Sequence, residues 1–174
     1  LKAFNRLLTI MDELRNNCPW DKKQTFASLR HLTIEETYEL SEALLLGDLN
    51  EVKNELGDLL LHIVFYAKMG SEQKAFDIGD VANAISRKLI DRHPHIYGGV
   101  EVKDEADVKK NWEKLKLKEG NKGVLSGVPK SLPSLVMASR MQDKAAGIGF
   151  DWKSIDGVKD KIKEELSELD HEIN

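Results

Sequence analysis

Residues 34–66 read IEETYELSEALLLGDLNEVKNELGDLLLHIVFY, two helix-periodic runs with Gly47 between them. Apolar residues recur every three or four positions on both sides, and Gly47 supplies the left-handed geometry that ends the first run. Asn50 is placed to cap the second run, which is expected to reach Lys68. So short a connection makes the two helices, the first expected over Phe26–Leu46, antiparallel neighbours. The same period governs the rest of the chain. A helix is expected over Lys2–Arg15, broken by NCPWDKKQT with its Pro19, and another from a cap at Asp77 to Arg92. A charged segment, Asp104–Lys118, follows HPHIYGG. Strict alternation with hairpin-turn chemistry occurs nowhere, so the expected fold class is all-α, an antiparallel helical bundle.

Composition shifts after residue 118. EGNKGVLSGVPKS, residues 119–131, is rich in glycine and reads as a linker between a first domain, 1–118, and a second unit, 132–174. That unit repeats the beginning of the chain: a helix capped at Ser131 with Pro133 in its first turn, a turn GIGFDWKS, then a helix carrying KEELSELDHEIN. Glu164, Glu165 and Glu168 stand where Glu35, Glu36 and Glu39 stand in the first copy, which makes this an internal repeat. A second acidic pair opens 16 residues after Glu39, at Glu55 and Asp58. The equivalent pair falls beyond the sequence, so the second helical repeat is expected to be incomplete and the chain to be part of a longer one.

The acids need an explanation. At about 100° per residue, Glu36 and Glu39 lie about 60° apart on their helix, and so do Glu55 and Asp58 on theirs. The stripe Leu32, Glu36, Glu39, Ala43, Leu46 has core spacing, and the run after Asp58, LLLHIVFY, is apolar on every side except at His62, so that end of the helix is expected to be buried. Carboxylates placed beside a dry interior repel one another and resist ionisation unless a positive group lies among them. Lys53 is the only basic side chain near in sequence, too little for four carboxylates. A divalent cation does it better, and hard oxygen donors without thiolates or paired histidines select Mg2+, or Mn2+, over Zn2+. Such an ion keeps positions open for water and substrate phosphates. Glu42 and Glu51 read instead as solvated helix face.

Bulk properties narrow the partners. A net charge of -4 over 174 residues gives no footprint for a nucleic acid polymer or an anionic membrane. The longest apolar run, Leu59–Ala67, is far short of the ~20 residues of a membrane span. Cys18 is the sole cysteine and LKAFNRLLTIMDEL lacks the form of a signal peptide, which fits a reducing, cytoplasmic setting.

EETYE followed by ELGD resembles the EExxE and ExxD pair of the all-α nucleoside triphosphate pyrophosphohydrolases, and the chain is similar to the MazG family. The likeness extends over CPWDKKQTF, RHPHIYG, NWEKLK, SLPSLVMASRMQDKAAGIGFDW and the repeated glutamates. It implies Mg2+-dependent hydrolysis of nucleoside triphosphates to monophosphate and pyrophosphate, serving nucleotide-pool housekeeping or control of a signalling nucleotide. Helical bundles of this type assemble from more than one chain, so a homo-oligomer, a dimer first, is expected. Carried over by motif position, Glu36, Glu39, Glu55 and Asp58 hold the metal, and Glu35 supports them or takes a proton from water. Arg87, Lys88 and Arg92, then Lys53, are the candidates for phosphate contacts, and Trp20 for stacking on a base. His93 and His95, flanking Pro94, read as a structural turn, and Cys18 as a small packed residue.

Two other readings stand beside this one. Glu168-x-x-His171 is half of the ligand set of a di-iron carboxylate bundle, whose second Glu-x-x-His is missing. A non-catalytic helical oligomerisation module, its acids merely solvated, is the other.

Overall fold

The computed structural model describes residues 1–104, 107–108, 111–112, 115, 123–152 and 154–173. Most of the charged segment expected over 104–118 and the first residues of the linker, 119–122, lie outside the described residues. Helices α1 (Lys2–Asn17), α2 (Phe26–Leu46), α3 (Leu49–Glu72), α4 (Ile78–Arg92), α5 (Pro94–Tyr97), α6 (Ser134–Ala146) and α7 (Ile155–Ile173) follow in order, with one 3-10 turn at Asp21–Lys23. No strand occurs among the described residues, as the periodicity requires. Compact packing divides the chain into two units, Leu1–Lys88 and Leu89–Asn174, with the boundary inside α4.

In the first unit, α2 packs along α3 and α1 packs on α3. Thr25 starts α2 through a capping box: its hydroxyl accepts from the Ser28 amide at 3.1 Å and the Ser28 hydroxyl accepts from the Thr25 amide at 2.8 Å. Gly47 ends α2 at φ 73°, the left-handed conformation its sequence position called for. The cap of α3 is Asp48, not Asn50: its carboxylate accepts from the Asn50 and Glu51 amides at 2.9 and 3.2 Å. An acid immediately after the glycine reaches those otherwise unpaired amides first. Helix α3 also runs through Gly70 to Glu72 rather than stopping at Lys68, because Gly70 is there for packing. The Phe76 ring lies on it, so close that a Cβ would sit 2.7–2.9 Å from ring atoms.

Met11, Leu29, Val64, Phe65 and Met69 form the core, with Phe4, Leu7, Leu8, Leu32, Leu61, Tyr66 and Ile78 around it. Arg15 closes one side. Its guanidinium pairs with the Glu72 carboxylate at 2.5 Å, donates to the carbonyls of Asp21 and Gln24, and lies over the Phe65 ring. One side chain thereby joins α1, the turn before α2, and the end of α3. Helix α4 begins with reciprocal bonds between Asp77 and Asp80.

LLLHIVFY is not buried all round as expected: Leu60 and Ile63 are exposed while Val64 and Phe65 are fully buried. Among the described residues, α1 and α2 are the helices that pack along α3, and the side carrying Leu60 and Ile63 stays open.

In the second unit, α6 begins at Ser134 with Pro133, rather than Ser131, as the capping residue. Lys144 donates to the carbonyls of Val124 and Ser126 and pins the preceding turn. Trp152 lies against Gly157 at the start of α7. The segment HPHIYGG contains the short helix α5, with Pro94 at its first turn.

Candidate metal centre

The pairing of α2 with α3 determines which acids meet. With the turn at Gly47 and Asp48, the antiparallel register sets Glu39 against Glu55 and Glu36 against Asp58, whose charges act on one another, and sets Thr33 against Tyr66, two turns beyond Asp58 on α3 and nearer the core. The last pairing is fixed by a 2.6 Å hydrogen bond between the two hydroxyls. Thr33 gives its proton to the Leu29 carbonyl at 3.1 Å, so Tyr66 is the donor to Thr33.

Glu36, Glu39 and Glu55 each bring a carboxylate oxygen within 4.8 Å of the others, the only such grouping of potential metal ligands among the described residues. Asp58 is exposed and outside that trio, although its charge reaches both Glu36 and Glu55. The acids affect one another's ionisation. Burial, then the charges of Glu39, Asp58 and Glu35, push the Glu36 carboxyl above the usual glutamate range. Glu55 is pushed the same way by burial and then by Glu39, Asp58, Glu36 and Glu51. One Glu55 oxygen, Oε2, is shut off from solvent with no hydrogen-bond partner. A buried carboxylate oxygen without a donor, beside two further carboxylates, fits a hard cation. A cleft of about 350 Å3 opens beside the trio, lined by Glu39, Glu42, Glu51 and Glu55 with Asp48, Ala43 and Leu46. Glu42 and Glu51, read from sequence as solvated, therefore border the site.

The remaining candidates are less concentrated. Glu35 is exposed on α2 beside Glu36, and Lys53 is exposed on α3. Trp20 is 54% exposed in the turn before α2. Glu36 lies ten residues into that helix, ~15 Å along its axis, so stacking by Trp20 is not a feature of the acidic cluster itself. Arg87 and Lys88 are exposed on α4. Arg92 belongs to the second unit, where its guanidinium lies over Trp112. His93 Nδ1 bonds the Leu89 carbonyl at 2.6 Å, which agrees with a structural role for that turn.

The second glutamate motif is organised differently. On α7, Lys161 pairs with Glu164 at 2.7 Å and with Glu165 at 3.1 Å. Its ammonium is held charged by hydrogen bonds to those two carboxylates, which raise its pKa. Leu32 occupies the corresponding position of the first copy, so no lysine relieves Glu35 and Glu36 in that way. Glu168 and His171, the half-motif of a di-iron bundle, enter no group of three potential ligands among the described residues.

His62 was visible in the sequence only as the polar exception in an apolar run. It is 7% exposed and its Nδ1 lacks a partner.

Known proteins are similar to this chain in sequence and in fold. A family model described as the MazG nucleotide pyrophosphohydrolase domain matches residues 24–97, the span that contains α2, α3 and all five acids. A nucleoside triphosphate pyrophosphohydrolase of Escherichia coli strain K12 is 42% identical over 179 residues, covering 99% of this chain and 68% of the relative. A nucleoside triphosphate pyrophosphohydrolase/pyrophosphatase MazG of Thermotoga maritima is 44% identical over 171 residues, covering 95% of this chain and 66% of that one. The crystal structure of a mazG-related protein from Thermotoga maritima matches with a TM-score of 0.56 and 24% identity, over 65% of this chain and 98% of the other, and so shares the fold.

Proposed function

Since the chain belongs to the MazG family of nucleotide pyrophosphohydrolases, we propose that it hydrolyses nucleoside triphosphates to monophosphate and pyrophosphate at the α2–α3 carboxylates, using Mg2+ or Mn2+. The observation that supports this most directly is the trio Glu36, Glu39 and Glu55 with its orphaned Oε2, inside the segment that matches the family.

A divalent cation bound there supplies neutralisation of the triphosphate oxygens and a more acidic water. The chain's own residues do the rest. Glu36, Glu39 and Glu55 would hold the ion from two helices, and Asp58 would add a fourth carboxylate from the next turn of α3. Glu35, exposed beside Glu36, takes the proton released as water attacks phosphorus and pyrophosphate departs. Lys53, Arg87 and Lys88 are the exposed cations of the first unit nominated for phosphate contacts. The 132–174 segment is read as the beginning of a second copy, joined through 119–131.

Oligomer formation is part of the same proposal. Leu49, Leu56, Leu60 and Ile63 are 38–80% exposed and fall within about 60° on the outer side of α3. A second copy offering the same stripe would cover it and complete a four-helix arrangement. No helix among the described residues is long and apolar enough to cross a membrane, and Cys18 is free, both in keeping with a reducing cytoplasmic setting.

Incubation with each nucleoside triphosphate and Mg2+, followed by separation of products, tests the reaction. Monophosphate with pyrophosphate is expected. Diphosphate with orthophosphate would contradict the proposal, and retention of full activity in Glu36→Gln would remove the site from it.

A further inference from the structure

Between the carboxylates and the core lies one residue whose chemistry the preceding reading leaves unused. His62 sits on α3 one turn after Asp58 and one turn before Tyr66. Helical side chains lean toward the N-terminus of their helix, so the imidazole covers the turn that carries Asp58. Its ring meets Tyr66 edge-on, with centroids 6.4 Å apart and planes at 70°, while Tyr66 is itself tied to Thr33 and stacked on Phe26 at 5.7 Å. His62 thus forms the layer between the charged pairs Glu39–Glu55 and Glu36–Asp58 and the packed interior.

A filler at this position has no need of nitrogen. Leucine, which the chain uses at Leu59, Leu60 and Leu61, fills a helix seam without leaving a buried polar atom unsatisfied. At 7% exposure, His62 nevertheless buries Nδ1 without a partner. The other orphaned buried side-chain atom among the described residues is Glu55 Oε2, in the carboxylate trio two turns away. In either protonation state the imidazole has at least one N–H to donate. Asp58, for its part, is the one carboxylate of the four that stands outside the 4.8 Å grouping.

We propose that His62 is a positioning residue for the metal-holding carboxylates, its ring N–H holding the Asp58 carboxylate turned toward Glu36, Glu39 and Glu55. This rests on the metal-site reading above. Outer-shell donors of this kind orient ligands and commonly change metal affinity by about 10- to 100-fold when removed. The role is to orient a ligand, with no contact to the reacting phosphate.

Mn2+ binding to the full chain, followed by electron paramagnetic resonance without nucleotide, tests it alongside thermal melting. His62→Leu is expected to bind Mn2+ about 10-fold more weakly while melting no lower than the native chain, and His62→Gln, which keeps an N–H donor, to stay within about threefold of native affinity. Should His62→Leu fail to fold, His62→Met provides the same comparison. Native affinity in the apolar variant would overturn the proposal, because His62 would then be a core filler. Equal weakening in the leucine and glutamine variants would overturn it too, by assigning the effect to packing. Failure of the native chain to bind Mn2+ would instead bring down the metal-site reading, and the role of His62 with it.

Discussion

Glu55 and Glu72 make opposite demands on pH. A carboxyl whose pKa is raised on folding holds its proton more tightly in the folded chain. Its contribution is complete below the ordinary glutamate value and is lost as pH rises through the raised one. Glu55, raised by burial and by the neighbouring acids, is of this kind. Glu72 is lowered, first by its hydrogen bond to Arg15, so its contribution is present above the ordinary value and lost as pH falls through the lowered one. In metal-free buffer, Glu55→Gln is expected to raise the melting temperature at about pH 7, with the gain vanishing by about pH 4, where the native carboxyl is itself neutral. Added Mn2+ should reverse the order, since only the native chain keeps the full donor set. Melting curves with and without chelator across this range check both signs. In turnover, Glu36→Gln should lower kcat by at least about 100-fold if the carboxylate holds the ion as proposed. That Glu36, Glu39, Glu55 and Asp58 share two helix faces was legible from spacing. Their division into a trio and an adjoining Asp58 was not, because spacing gives angle about one axis and the distance between two helices depends on what packs between them.

Local chemistry made most element boundaries readable, and the exceptions have causes. The end of α2 at Gly47 followed from backbone geometry alone, while α1 runs two residues past its expected end at Arg15, to Asn17, before the Pro19 turn breaks it. The cap of α3 was misplaced by two residues since Asp48 and Asn50 are both competent caps and only the path of the turn selects Asp48. The expected end of α3 at Lys68 fell short because the packing partner of Gly70, Phe76, returns from beyond the helix end and is invisible to local sequence. Thr25→Ala removes a reciprocal cap and should cost about 1 kcal/mol in chemical denaturation, with Thr25→Ser nearly neutral. Gly70→Ala meets the Phe76 ring at under 3 Å and should destabilise the chain although alanine favours helix. The double variant Gly70→Ala with Phe76→Leu should recover part of that loss, which a double-mutant cycle measures.

At the scale of the molecule, the apolar stripe of α3 carries the clearest expectation. If the stripe joins two copies as proposed, Leu56→Glu together with Ile63→Lys places charge at its centre and should lower the mass measured by light scattering to that of a single chain without loss of helical content. The run after Asp58 was expected to be buried on every side, and one side of it is exposed because, among the described residues, α1 and α2 are the helices that pack along α3. Hydropathy reports that a surface will be covered, and it does not report by which chain.

Arg15 and Glu72 are 57 positions apart, and a contact of that separation is expected to form after the local hairpin between them. Such a tie gives little guidance on the way in and much resistance on the way out. Stopped-flow measurements on Arg15→Met should therefore show a steeper escape from the native state with an almost unaltered rate of arrival. The lifetime of the whole first unit would then be governed by one guanidinium far from any reacting atom.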